Sequence, residues 1–185
     1  MKSLRNRLAD GDANAFESLY ENCSVRLFQF LVSKTGSSDF AADVLQETFL
    51  RAVRFRERLR EVNSLEAWLF TIARREADRM LTRQKQTRHH DLAGVPAIQQ
   101  PVVSATRELD NREELDSAFA GLPVVDREIL ELHVYGGLTF REIADVTDTP
   151  QGTVATRYRS VIARLRKRLN AVSASSTESI RETKQ

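Results

Sequence analysis

Cysteine is almost missing: Cys23 stands alone among 185 residues, so no intrachain disulfide and no cysteine-based zinc cluster can form. Proline and glycine are scarce, at 4 and 7 residues, which leaves few points where a helix must end. No apolar run approaches the ~18 residues of a membrane-crossing helix. The opening stretch MKSLRNRLADGDA also lacks the apolar segment of an export signal. These absences predict a cytoplasmic protein with no membrane insertion. Net charge is small as well, 28 basic against 26 acidic side chains, or +2. No Ser/His/Asp set, nucleotide-binding loop or paired carboxylate site is present to suggest an enzyme. His89-His90-Asp91 could suggest a metal, but the adjacent histidines lack a third partner at ligand spacing, so neither a metal nor a cofactor is expected.

What is present is helical periodicity. The chain is 41% hydrophobic and 29% charged, enough to bury a core, and its apolar residues recur at helical rather than strand spacing. The spacing predicts helices over 13–32, 39–58 and 64–85, then over 106–120 and 124–135, and a last one over 151–169. Between the two blocks, DLAGVPAIQQPVVSAT at 91–106 carries one charge, two prolines and a glycine and reads as a linker. The fold class expected is therefore all-α: two small helical domains, at 1–90 and 107–170, joined by a flexible linker. The Ser/Thr-rich tail at 171–185 is expected to be disordered. Cys23 falls on the apolar stripe of the first long helix and is expected in the core.

The basic charge is unevenly placed. Positions 150–169 hold six Lys/Arg and no acid, and positions 51–90 hold eleven Lys/Arg against five Asp/Glu. Two separate basic zones suggest two contacts with a polyanion. The second zone follows LTFREIADV, where Thr139 and Glu142 form a capping box and Leu138 and Ile143 a hydrophobic staple. A short helix, the turn TDTP and a longer basic helix make a helix-turn-helix pattern.

That last helix buries Val154, Tyr158, Val161, Leu165 and Leu169, spaced 4, 3, 4 and 4. Its opposite side carries mostly small groups, Gly152, Thr156, Ser160 and Ala163, with Arg159 among them. Gly152 costs about 1 kcal/mol of helix propensity relative to Ala and permits close approach to the backbone. With Gln151 and Thr153 it opens a helix N-terminus suited to a phosphate. Small side chains let a helix enter a major groove; Thr156, Ser160 and Arg159 can meet base edges, and Arg157 suits a phosphate.

GLPVVDREILELHVYGGLTFREIADVTDTPQGTVATRYRSVIARLRKRL resembles region 4 of bacterial RNA polymerase sigma factors. SSDFAADVLQETFLRAVRF followed by AWLFTIARREADRM resembles region 2 of the same family. The two in this order, with only a linker between, are the layout of its extracytoplasmic-function (ECF) group. The resemblance implies that Asp43, Gln46 and Glu47 dock on the β′ clamp helices of core RNA polymerase, with further contact to the β subunit. It also implies minus-ten promoter contacts at Asn63, Ser64, Arg74, Arg75 and Arg79. Trp68 looks like a stacking residue, although its place on the apolar stripe favours packing. For the minus-thirty-five element the resemblance places readers at Ala155, Thr156, Arg159 and Ser160, with Arg141 on a phosphate. Many relatives carry a basic side chain where this chain has Ala155 and Ser160. The implied function is promoter-specific initiation, with promoter DNA and core polymerase as partners and an anti-sigma factor as a further candidate. The alternative is a stand-alone helix-turn-helix regulator whose first block senses a signal or dimerises.

Overall fold

The computed structural model describes residues 3–90 and 121–182. The linker at 91–106 and the helix expected over 106–120 lie outside the described residues. Among the described residues the regular structure is entirely helical.

A short helix that the sequence pattern did not suggest comes first: α1, Leu4–Ala9, capped by the Ser3 hydroxyl on the Asn6 amide. Helix α2, Ala13–Thr35, starts at the Asp12 carboxylate, which accepts from the Asn14 and Ala15 amides. It ends at Gly36, whose left-handed φ of 69° returns its N–H to the Val32 carbonyl. Helix α3, Ser38–Arg54, is capped by Ser37. It stops short of the expected 58, and a 3-10 turn over Arg56–Arg60 follows. The tighter winding places Leu59 fully inside, beneath α1, whose Leu8 is equally buried.

Helix α4, Leu65–His90, begins one residue after the expected start at 64. Ser64 supplies the capping oxygen, accepting from the Ala67 amide at 3.2 Å. In the second block, α5 spans Val124–Val134, α6 Phe140–Thr147 and α7 Gln151–Glu182. The expected Thr139–Glu142 capping box is formed in full. The turn into α7 passes through Asp148, a non-glycine residue at φ 52°. Its neighbour Thr149 donates an amide bond to the Ala144 carbonyl. Helix α7 runs past Leu169 to Glu182, so the segment expected to be disordered is helical that far. Beyond Gly152 the sequence holds no glycine or proline to interrupt it.

The two blocks share one continuous apolar core. Leu27, Phe30, Leu31, Leu69 and Phe70 of the first meet Ile129, Leu132, Leu138 and Ile143 of the second. Phe30 and Phe70 pack edge to face at 5.4 Å. Gly136 is required at this seam, because a Cβ there would stand 2.4 Å from the Leu132 carbonyl oxygen and 3.1 Å from the Phe70 ring. Cys23 is buried in this core as expected. Burial and the Glu66 charge push its thiol above the ordinary value against a smaller opposing effect of Arg26, which disfavours the reactive thiolate. No helix among the described residues is long and apolar enough to cross a membrane.

Candidate partner and nucleic-acid interfaces

The α3 surface separates by helical phase. Ala41, Val44, Leu45, Thr48 and Ala52 face inward, and the Thr48 hydroxyl is satisfied by the Val44 carbonyl at 2.7 Å. Asp43 and Gln46 are exposed on the other side. Glu47 is half-buried and paired with Arg51 at 2.8 Å, which also reaches Glu76 at 2.9 Å. The expected docking trio therefore divides into two free side chains and one tied to its own helix.

Beside Gln46 lies a feature that sequence reading missed. Tyr20, Val25, Phe28, Phe49, Leu50 and Val53 line an open apolar groove between α2 and α3, of about 910 Å³. Tyr20 is 49% exposed and packs against Phe49 as a tilted ring pair at 4.9 Å. The signal was available as an apolar arc on α2 and α3 wider than one core contact needs.

The minus-ten candidates are brought to the α4 N-terminus and its outer faces. Asn63, Arg75 and Arg79 are exposed. The Asn63 carbonyl accepts from Arg5 of α1, and Arg79 pairs with Glu76 at 2.8 Å. Ser64 and Arg74 are engaged differently, by the second block. The Ser64 hydroxyl donates to Glu142 at 2.7 Å, and Arg74 Nε donates to Glu128 at 2.9 Å. Trp68 is half-buried against the core, in keeping with the packing role.

Burial alone would raise the Glu128 carboxyl. The hydrogen bonds and positive charges of Arg74 and Lys34 outweigh it and hold Glu128 below its ordinary value. The Arg74 guanidinium, which burial would lower, is raised by the same bond. Glu142 is likewise lowered, because bonds from Ser64 and Thr139 and the charge of Arg26 override its desolvation.

On α7, Val154 and Val161 are fully buried and Tyr158 packs beside them. Tyr158 lies in a ring cluster with Phe140 at 5.1 Å and His133 at 4.7 Å, which joins α5, α6 and α7. His133 Nδ1 lies 2.9 Å from the Leu138 carbonyl, which can only accept, so that nitrogen carries the proton. Gln151, Gly152, Thr153, Thr156, Arg159 and Ser160 are exposed on the opposite side, and Ala155 is half-buried. The Thr156 hydroxyl donates to the Gly152 carbonyl at 2.9 Å. A Cβ on Gly152 would meet nothing within 4 Å. Arg141 on α6 is exposed too. Arg157, expected on a phosphate, instead holds Asp126 of α5 at 2.9 Å.

A helical chain carrying a capped helix-turn-helix, with a small-residue face on the last helix, has the build of a DNA-binding transcription factor. The Sigma-70 region 2 model matches residues 19–87 and the Sigma-70, region 4 model matches residues 112–169. The chain belongs to the sigma-70 family, and its relatives place it in the ECF group. It is 29% identical to the ECF RNA polymerase sigma factor RpoE of Cereibacter sphaeroides, covering 92% of this chain and 93% of that one. It is 26% identical to the ECF RNA polymerase sigma factor SigK of Mycobacterium ulcerans, over 92% and 94% of the two chains. Among solved structures, the sigma factor RpoE of Bartonella quintana, in complex with the anti-sigma factor NepR, superposes with a TM-score of 0.66 at 25% identity. That match covers 84% of this chain and 96% of the other.

Proposed function

We propose that this sigma factor binds core RNA polymerase through α3 and its neighbouring groove, reads two promoter elements, and helps open the DNA between initiation contacts. The observation that carries the docking assignment is the exposed pair Asp43 and Gln46 at the edge of an apolar groove. A soluble chain keeps so large an apolar opening where a partner covers it, and the acidic and amide groups beside it favour a basic, helical partner surface. The β′ clamp helices fit that description, and the β subunit would be met through the second block.

Strand opening needs cations for the backbone and groups that hold an unstacked base. Asn63 and Ser64 at the α4 N-terminus supply the polar groups, and Arg74, Arg75 and Arg79 further along α4 supply the cations. Duplex recognition falls to α7. Gly152 and Thr153 receive a phosphate at the helix start, and Arg141 contacts a phosphate from α6. Thr156, Arg159 and Ser160 face base edges, and Ala155 leaves room beside them. Arg157 acts from within the domain: by holding Asp126 it fixes α7 on α5. An anti-sigma factor is a natural second partner, since the Bartonella relative was solved with one. The sigma factor confers promoter choice, and the polymerase performs the chemistry, in the compartment where both meet DNA.

The test is reconstituted transcription with core enzyme on upstream regions of the source genome. Promoter-directed transcripts are expected; their absence from every region, with no core binding, would refute the reading. The paired substitution Asp43→Arg with Gln46→Ala should abolish core binding while the helical circular dichroism spectrum is retained. Undiminished binding would remove α3 from the docking surface. Tight promoter binding without polymerase would instead favour the stand-alone regulator.

A further inference from the structure

One rim of α7 is held down by an acid. Thr153, Arg157, Ser160 and Arg164 follow one another at spacings of 4, 3 and 4, so they form a single row along the helix. The row runs between the buried stripe and the small-residue face. Thr153, Ser160 and Arg164 are exposed, and Arg157 is half-buried. Asp126, in the first turn of α5, sits under that row and is only 6% exposed. Its Oδ1 accepts from Arg157 at 2.9 Å, and its Oδ2 lies 3.8 Å from Arg164, close enough for attraction without a hydrogen bond. One buried carboxylate therefore engages both guanidiniums of the row. Val161 packs on Leu122 and Leu130 beside these charges, so the ion pair is not the sole attachment of α7.

We propose that Asp126 is a charge brake on duplex binding: it withholds Arg157 and Arg164 from the phosphate backbone and keeps the sequence-independent part of DNA affinity low. The inference rests on the assignment of α7 to duplex DNA. Both arginines stand on the rim that a helix lying in a major groove turns towards a phosphate strand, in line with Thr153 at the helix start. Unpaired, each would supply one backbone contact. A guanidinium meets carboxylate and phosphate oxygens with the same fork of N–H groups, so it serves one or the other. Asp126 keeps Arg157 because the exchange would strand a buried carboxylate without its partner, which costs more than leaving a phosphate to water. Backbone contacts strengthen binding to every sequence alike, whereas the base edges facing Thr156, Arg159 and Ser160 differ between sequences. Neutralising two rim cations from within the domain therefore raises the share of binding that depends on sequence. That favours a protein which must find few sites among many competing ones.

A salt titration separates this brake from a purely structural pairing. Full-length protein is titrated onto a labelled duplex of mixed sequence, and affinity is read by fluorescence anisotropy over a series of salt concentrations. Asp126→Asn keeps the shape and removes the charge. It should steepen the fall of log affinity with log salt by roughly 0.9 for the contact Arg157 gains, and by up to about twice that where Arg164 engages too. Adding Arg157→Gln to Asp126→Asn should take the Arg157 share back. An Asp126→Asn slope equal to that of the wild type, with the helical circular dichroism spectrum retained, overturns the brake. If Asp126→Asn loses that spectrum, Arg157→Gln in the natural background decides, since its amide can still donate to Asp126. An unchanged slope is then expected, because Arg157 is engaged by Asp126. A slope shallower by roughly 0.9 means that Arg157 already contacts phosphate, and sinks the proposal. The duplex-reading assignment is scored separately, by promoter-directed transcription with core enzyme and Arg159→Ala. Transcription unaffected by Arg159→Ala counts against the reading face, while the slopes still decide the brake.

Discussion

Gly152 shows how a single residue separates folding from function. A side chain there would touch nothing, so the fold does not demand glycine. Helix propensity argues against it by up to about 1 kcal/mol. Gly152→Ala should therefore raise the thermal midpoint slightly while weakening binding to a minus-thirty-five duplex, measured on the same preparation. Unchanged duplex affinity would mean that nothing approaches the backbone at this position. Gly136 makes the contrasting case, since its missing Cβ is what lets the two blocks close on Phe70. Glu128 is the third informative residue. Its carboxyl is lowered in the folded protein, so its contribution is fully present above the unfolded value of about 4.3 and is lost as pH falls through the lowered one. Lys34, Arg74 and the more distant Asp78 are the charged groups around it. The urea midpoint difference between wild type and Glu128→Gln should accordingly be large at neutral pH and shrink in strong acid. A difference independent of pH would assign the effect to packing.

Elements differ in how legible they were. Helix α6 was readable in full, since its capping box and staple are local and the sequence carries both ends. Helix α1 was not, because its six residues hold only two inward positions, Leu8 and Ala9, too few for a period. What stabilises it is tertiary: Leu8 and Leu59 are both fully buried where α1 meets the 3-10 turn. Arg60 ties the same pair of elements to Asp10 at 2.6 Å. Leu8→Ala should cost roughly 2–5 kcal/mol by cavity formation, seen as a lower denaturation midpoint. A change within about 0.5 kcal/mol would show that α1 is dispensable to the core. Tyr20 marks the limit of what spacing can tell. A period marks which residues share a face, but not whether a neighbouring helix covers all of that face or leaves an edge open as a groove.

At the scale of the molecule, the face proposed for docking and the face proposed for duplex reading lie on different blocks and both are exposed, while the side chains proposed for strand opening are divided. Asn63, Arg75 and Arg79 face outward, and Ser64 and Arg74 face the second block. The sites are therefore not equally available in the free chain. The proposed docking pair on α3 and the proposed reading face of α7 are exposed, and the proposed single-strand contacts are partly covered.

Sequence by itself determined the helical class, the two-block order, the capped helix-turn-helix, and the outward positions of Asp43, Gln46, Thr156, Arg159 and Ser160. These follow from local rules: capping chemistry and helical period act within a turn or two, so a short window contains all the information. Tertiary structure alone decided that Arg157 serves Asp126 and that Ser64 and Arg74 meet Glu142 and Glu128. Those partners lie 31, 78 and 54 residues apart for the Arg157, Ser64 and Arg74 pairs. Nothing in a periodic pattern records which distant charge a basic side chain meets. That is settled only when apolar faces pack and bring particular acids within hydrogen-bond reach of particular cations.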